Sequence, residues 1–479
     1  MMEKMEVALV SCERYPLIKV GGLADVVGAL HAKLKKYCVP RLFLPGFSAV
    51  LKKYRYQPYG QFDVEFSSKR KEKGVLLKLA DTQFPETYLI CNDGYFARDE
   101  VYGPGGKDYP DNPERFSFFS MAALECCARF FQDTELFHCH DWQTALLPLY
   151  LKTHYAGRIS ASTVFTIHNL GYQGIFSAEK FGILGLGQEY FRMDQLEFYG
   201  KVNVMKAGII HSSVLNTVSP TYAREILTPE YGCGLDGLLA TRKDDLSGII
   251  NGIDYTVWNP AFDGLIAKKY RLLPGKRLNK RALQKKAGLP ERDDIPLFGF
   301  VGRLVQQKGV DLIVEAVRQG EFQFQMVVLG TGDTEYEGKM KELAAKMPHC
   351  VSVMIGYDEA YAHQIYAGSD FFLMPSRYEP CGLGQLIAMK YGTIPVVRKT
   401  GGLADTVEPF DSEYKDGCGF VFEDPDPGQL ASCIQRAIGL YADSNAMCMA
   451  FNRVRKCNFS WSSSVGEYWA LYEKARKKK

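Results

Sequence analysis

The sequence predicts an α/β protein built of two doubly wound domains, and three observations carry that prediction. The chain has 479 residues, more than a single hydrophobic core usually supports. Two series of short β-branched or aromatic runs occupy its two halves, each run ending in polar or glycine residues. Helical stretches such as PERFSFFSMAALECCARFF separate several of them. Continuous apolar strands alternating with helices make parallel sheets covered on both faces.

The first series reads VALVSCE, RLFLPG, TYLICND, LFHCHDW, TVFTIHN and VLNTVS, and the second PLFGFVGRL, QMVVLGTGD, VSVMIGY, DFFLMPS, IPVVRKTGG and GFVFE. Between them GIINGIDYTVWNP supplies the turn residues Asn251, Gly252, Asn259 and Pro260. The expected domains are therefore residues 1–246 and 247–458. The remaining stretch, 459–479, carries Val465, Tyr468, Trp469, Leu471 and Tyr472 at helical spacing and reads as an amphipathic helix with one face against the body.

Composition narrows the class. A hydrophobic fraction of 46% and a charged fraction of 24% describe a folded globular chain. With 58 Lys+Arg against 55 Asp+Glu, the net charge of +3 is too small to argue for nucleic acid or an anionic membrane as partner. The 13 cysteines are scattered and form no CxxC pair, which fits neither a disulfide scaffold nor a zinc ribbon and points to a reducing cytoplasm. The start, MMEKMEVALVSCE, runs straight into a strand-like segment with no signal peptide or long apolar span.

In doubly wound sheets ligands sit beyond the carboxyl ends of the strands. The nonapeptide KVGGLADVV (19–27) follows the first strand and recurs as KTGGLADTV (399–407), with two of nine positions changed. Lys19 with Gly21 and Gly22 before a helix makes a phosphate-binding turn, or a plain glycine-rich one. LFHCHDW places His138 and His140 on one face of a strand, as a metal would need, but no further ligand cluster accompanies them and no metal is assigned. Asp141 at that strand's end suits sugar hydroxyls or a developing positive charge. His168 stands at the tip of the next strand, in TIHNLGYQG.

In the second half, Arg303 and Lys308 of FVGRLVQQKG lie five residues apart across a strand-to-helix turn. Two cations there suit a diphosphate leaving group, whose charge grows as its bond to sugar breaks. In PSRYEPCGLGQL, Glu379 precedes the turn glycines Gly382 and Gly384. A carboxylate beside a phosphate site is repulsive unless something polar or cationic lies between, and a sugar fits there.

Taken together, KVGGLADVVGAL, CHDWQTALLP, FTIHNLGYQGIF, MKAGIIHS, TVSPTYAREI, INGID, GRLVQQKG, SRYEPCGLGQL and KYGTIPVVRKTGGLADTV closely resemble the bacterial glycogen and starch synthases, in that family's order and over nearly the whole chain. The resemblance implies the GT-B fold, two Rossmann-like domains facing a deep cleft, with the final helix crossing back to the first domain. The donor would be held mainly by the C-terminal domain and the glucan mainly by the N-terminal one. It implies transfer of glucose from ADP-glucose to the non-reducing 4-hydroxyl of an α-1,4-glucan with retention, without metal or other cofactor, in a bacterial cytoplasm.

Carried onto this sequence, Lys19 resembles the N-domain phosphate contact, with Gly21 and Gly22 closing backbone onto the donor. Arg303 and Lys308 resemble the pair that stabilises the departing ADP, and Glu379 the carboxylate that holds the transferring glucose. Cys381, Gly382 and Leu383 belong to the turn around sugar and phosphate. His168 resembles the histidine near the glucose, Asp141 the carboxylate near the reacting centre, and Tyr357 the residue that packs the adenine. Gly384 departs from the threonine common in this turn, which implies changed donor affinity or specificity. Lys399 and its glycines are read as a tight turn lining the cleft or as structural only. The rival readings are UDP-glucose as preferred donor and an inactive glucan-binding scaffold.

Overall fold

A computed structural model of the chain describes residues 4–67 and 70–478. These divide into two compact units. The first comprises the described residues within 1–218, 223–249 and 461–479, and the second comprises 219–222 and 250–460.

The strands of the first unit are β1 (Glu6–Val10), β2 (Val39–Pro45), β3 (Tyr56–Ser67), β4 (Arg70–Leu79), β5 (Thr87–Cys91), β6 (Leu136–His140), β7 (Ser162–Ile167), β8 (Ile175–Ser177), β9 (Glu197–Phe198), β10 (Lys201–Asn203), β11 (Val214–Thr217) and β12 (Leu246–Gly248). Nine form one sheet in the order β12-β11-β7-β6-β1-β2-β5-β4-β3. The seven from β12 to β5 are parallel, and order reverses between β1 and β6. The strands beside that reversal are buried along nearly their whole length, which is why they read as unbroken apolar runs.

The antiparallel hairpin β3–β4 extends this sheet. Only one of its faces is covered, with Phe62, Val64 and Phe66 turned inward and their neighbours in water, so it does not show as an unbroken apolar run. The short strands β8, β9 and β10 make a separate antiparallel sheet.

The last helix, Trp461–Arg476, belongs to the first unit. It buries Trp461, Val465, Tyr468, Leu471 and Tyr472, and Trp469 stacks on Tyr37 with ring centroids 5.8 Å apart.

The second unit contains β13 (Leu297–Val301), β14 (Gln325–Gly330), β15 (Val351–Ile355), β16 (Phe371–Met374), β17 (Ile394–Arg398) and β18 (Phe420–Phe422). All are parallel, in the order β15-β14-β13-β16-β17-β18. This is the doubly wound order with its switch point between β13 and β16, where such sheets bind ligands.

Both nonapeptides open helices after strands, the first at Gly22–Leu34 and the second at Gly401–Thr406. Their places are not equivalent. The first follows the first strand of its sheet, whereas the second follows β17, the fifth parallel strand of the second sheet. The echo is therefore one strand-to-helix solution used at two topological positions, not a mark of matching halves. Among the described residues no helix is long and apolar enough to cross a membrane.

Candidate active site

In the first unit Lys19 follows β1 and Asp141 follows β6, on either side of the switch point, and His168 follows the neighbouring β7. The chain leaves β1, and the Glu13 carboxylate turns back beneath the glycine loop. Its Oε2 accepts the N–H groups of Val20 and Gly21 at 2.7 and 2.9 Å, and its Oε1 accepts the Tyr102 hydroxyl at 2.6 Å. Burial pushes this carboxyl up and the three hydrogen bonds oppose the shift. The Gly21 amide, expected to close on the donor, is thus already engaged by Glu13. What Gly21 contributes is an open approach, since a β-carbon there would meet nothing within 4 Å. Lys19 pairs with Asp25 of its own motif, 2.9 Å away, and lies over the Tyr15 ring.

Asp141 follows β6 with φ of 57° and ψ of −178°, a conformation that residues other than glycine adopt only under restraint. The restraint is visible. Its N–H donates to the Thr166 carbonyl of β7 at 2.9 Å, and its Oδ1 accepts the His168 N–H at 2.7 Å. Burial pushes the carboxyl up to about 7, against the pull of the His168 and Asn169 amides. Asp141 therefore pins the loop that carries His168.

The three histidines act as a stack and not as a metal cage. His138 lies 2.8 Å from the Tyr472 hydroxyl and 2.7 Å from the Thr166 hydroxyl, and His140 lies 3.0 Å from His168. Burial holds His138 and His168 at about 3 and His140 well below its ordinary value, so all three are neutral. Among the described residues no group of three or more His, Cys, Asp or Glu could hold a metal ion.

The second unit brings its candidates to the switch point between β13 and β16. Arg303 lies after β13, exposed, with its guanidinium 3.1 Å from Gln307 Oε1. Gly309 ends the short turn with φ of 67°. A side chain there would strike the Pro375 carbonyl, so this close approach of the turn to the β16 loop requires glycine. The approach sets Lys308 Nζ 2.6 Å from Glu379 Oε2, which also accepts the Ser376 hydroxyl at 2.9 Å. Glu379 is buried. The buried carboxylate therefore already has a cation against it.

Cys381 is buried and its thiol is pushed up to about 12, so it shapes the turn and is no nucleophile. The Gln385 amide donates to the carbonyls of Cys381 and Gly382, both at 3.0 Å. Gly382 has φ of 74°, and Leu383 precedes the helix Gly384–Lys390. Tyr357, 73% exposed, follows β15 two strands away from β13. Gly402 of the second nonapeptide packs against the Cys381 backbone so closely that a β-carbon would overlap it. Lys399 pairs instead with Glu423 at 2.9 Å on the exposed surface.

With this arrangement in view, comparison with known proteins is decisive. Residues 6–241 match the starch synthase catalytic domain and residues 281–449 match glycosyl transferases group 1. The chain is 45% identical to a glycogen synthase of Geotalea daltonii, over 99% of this chain and 100% of that one. The chain belongs to the glycogen and starch synthase family. A glycogen synthase of Thermodesulfovibrio yellowstonii is 44% identical over 98% of this chain and 97% of its own. The catalytic domain of Arabidopsis thaliana starch synthase IV, solved with ADP and acarbose, superposes with a TM-score of 0.91 at 34% identity, covering 99% of this chain and 100% of that one. The fold is thus GT-B, and the reaction of this family is glucosyl transfer in glycogen synthesis.

Three residues of the site were not singled out in the sequence, and a fourth, His140, was weighed there only with His138 as a metal pair. Glu13 and Asp25 sit inside quoted motifs but look like ordinary loop and helix positions. Asn251 was read only as a turn residue, yet it is buried and its backbone and side chain face the Cys381 thiol. A polar residue just past an apolar strand was the available signal for Glu13.

Proposed function

We propose that the enzyme transfers glucose from ADP-glucose to the non-reducing 4-hydroxyl of an α-1,4-glucan with retention of configuration and without a metal. The observation that carries this reading is Lys308 seated on the buried Glu379 at the β13/β16 switch point, with Arg303 on the same turn. Arg303 and Lys308 bind the diphosphate, whose negative charge grows as it leaves. Glu379 accepts hydroxyls of the transferring glucose, and the turn Cys381–Leu383 shapes its surroundings. Tyr357 offers a ring face to the adenine. Lys19 serves as a phosphate cation, and His168 and Asp141 serve the sugar.

The bond from the anomeric carbon to the diphosphate oxygen breaks, and the acceptor oxygen bonds to that carbon on the same face. The departing phosphate oxygen takes the acceptor's proton, so ADP leaves and no side chain is alkylated. Two fixed cations do the charge stabilisation that many transferases leave to a divalent ion.

The test is transfer of labelled glucose to glycogen from ADP-glucose and UDP-glucose in parallel, with and without EDTA. ADP-glucose preference unaffected by EDTA supports the reading. UDP-glucose preference overturns the donor, EDTA sensitivity overturns metal independence, and no transfer from either donor leaves an inactive glucan-binding protein.

A further inference from the structure

His140 is buried at the end of β6. Its Nδ1 lies 3.0 Å from Nε2 of His168, while its own Nε2 is buried and has no hydrogen-bond partner among the described residues. The adjacent His138 ring lies face-near, with centroids 4.0 Å apart. That neighbour's protons can be assigned. The Asn216 amide nitrogen donates to the Thr217 carbonyl, so Asn216 Oδ1 is an acceptor and takes the Thr166 hydroxyl proton at 2.7 Å. The Thr166 oxygen then accepts Nε2–H of His138, whose bare Nδ1 accepts the Tyr472 hydroxyl. Both His138 nitrogens are thereby committed to other groups.

One proton lies between His140 and His168, and two arrangements are open. If His168 donates from Nε2, the proton of His140 must sit on its own Nε2, a buried N–H with nothing to accept it. If His140 donates from Nδ1, its Nε2 is a bare lone pair and His168 carries its proton on Nδ1. Buried N–H groups without acceptors are rarer and costlier than an under-used lone pair. We propose that His140 is a positioning residue that fixes His168 as the Nδ1–H tautomer, making the ring nitrogen that His140 does not engage a hydrogen-bond donor to a sugar oxygen. The backbone of His168 is held separately by Asp141, so ring and chain are oriented by different neighbours. The inference rests on the reading of His168 as a sugar contact.

Two variants test it. His140→Leu removes the donor, while His140→Asn places an amide N–H where Nδ1–H stood. The expected result for His140→Leu is a kcat lowered about tenfold, the equivalent of about 1.4 kcal/mol for one hydrogen bond, with KM for the sugar nucleotide nearly unchanged. His140→Asn is expected to restore most of the loss. Equal loss in both variants, or no loss in either, overturns the proposal.

A second measurement does not depend on turnover. In ¹⁵N spectra of the histidine rings, eight in all, the His168 signals are assigned by their disappearance in His168→Asn. Protonated Nδ1 on His168 in the wild-type protein supports the assignment and protonated Nε2 overturns it, whether or not His168 proves to touch sugar.

Discussion

Lys308 Nζ and Glu379 Oε2 lie 2.6 Å apart although 71 residues separate them in sequence. They meet because β13 and β16 are neighbours in the sheet and each sends its loop over the same edge. The pair joins a buried carboxylate to a cation, and Ser376 gives that carboxylate a second partner through its hydroxyl at 2.9 Å.

Lys308→Ala and Glu379→Ala are each expected to lower turnover by about 10²- to 10³-fold, or roughly 2.7 to 4 kcal/mol of transition-state stabilisation. Thermal unfolding and circular dichroism check that the fold survives. Turnover near the wild-type value in either variant removes that residue from its role.

The two nonapeptide lysines are expected to behave differently. Lys399 and Glu423 are more than half exposed, and an exposed ion pair contributes about 0 to 1 kcal/mol. Lys399→Ala should therefore leave both stability and turnover close to wild type. Lys19→Ala should raise KM for the sugar nucleotide or lower kcat by about tenfold or more, as loss of a charged hydrogen bond does. Steady-state kinetics on the two variants side by side decides it, and equal behaviour contradicts the distinction.

Asp141 has a carboxyl raised to about 7 by burial, against about 3.9 when unfolded. Between these values the native state holds a proton that the unfolded chain has lost, so this group's contribution to stability falls as pH rises through the window. Asp141→Asn keeps an oxygen for the His168 amide but cannot ionise. Its thermal midpoint should match wild type near pH 4 and exceed it increasingly toward pH 7, by at most about 1.4 kcal/mol per pH unit. A constant offset across that range refutes the assignment.

Gly384, at the position where the resemblance led one to expect threonine, is tightly surrounded. A β-carbon there would come within 3.0 Å of the Phe372 ring and 3.2 Å of the Met374 sulfur. Gly384→Thr should destabilise the second unit by about 1 to 3 kcal/mol through overpacking. Met374→Ala, itself costly in the core, should make room, so the loss in the double variant, measured by the unfolding midpoint, should be smaller than the sum of the two single losses.

Tyr199 occupies the first position of the two-residue turn between β9 and β10, with φ of 49° and 83% exposure. With Gly200 at φ of 75°, the turn has the left-handed form that favours Asn-Gly. Tyr199→Asn is expected to stabilise the first unit by about 1 kcal/mol, and a lowered thermal midpoint counts against this.

The sequence by itself determined the α/β class, the parallel strands, the terminal helix and the placement of the residues singled out after strand ends. These are recorded locally: buried parallel strands must be apolar throughout, and turns that approach a ligand or a neighbouring loop must be glycine-rich. Only the tertiary structure decided partners. That Glu13 occupies the Gly21 amide, that His140 meets His168, that Lys399 turns to Glu423 and that the two nonapeptides follow strands of different rank all depend on which strands lie side by side. Strand order is a property of the whole sheet, and no local periodicity encodes it.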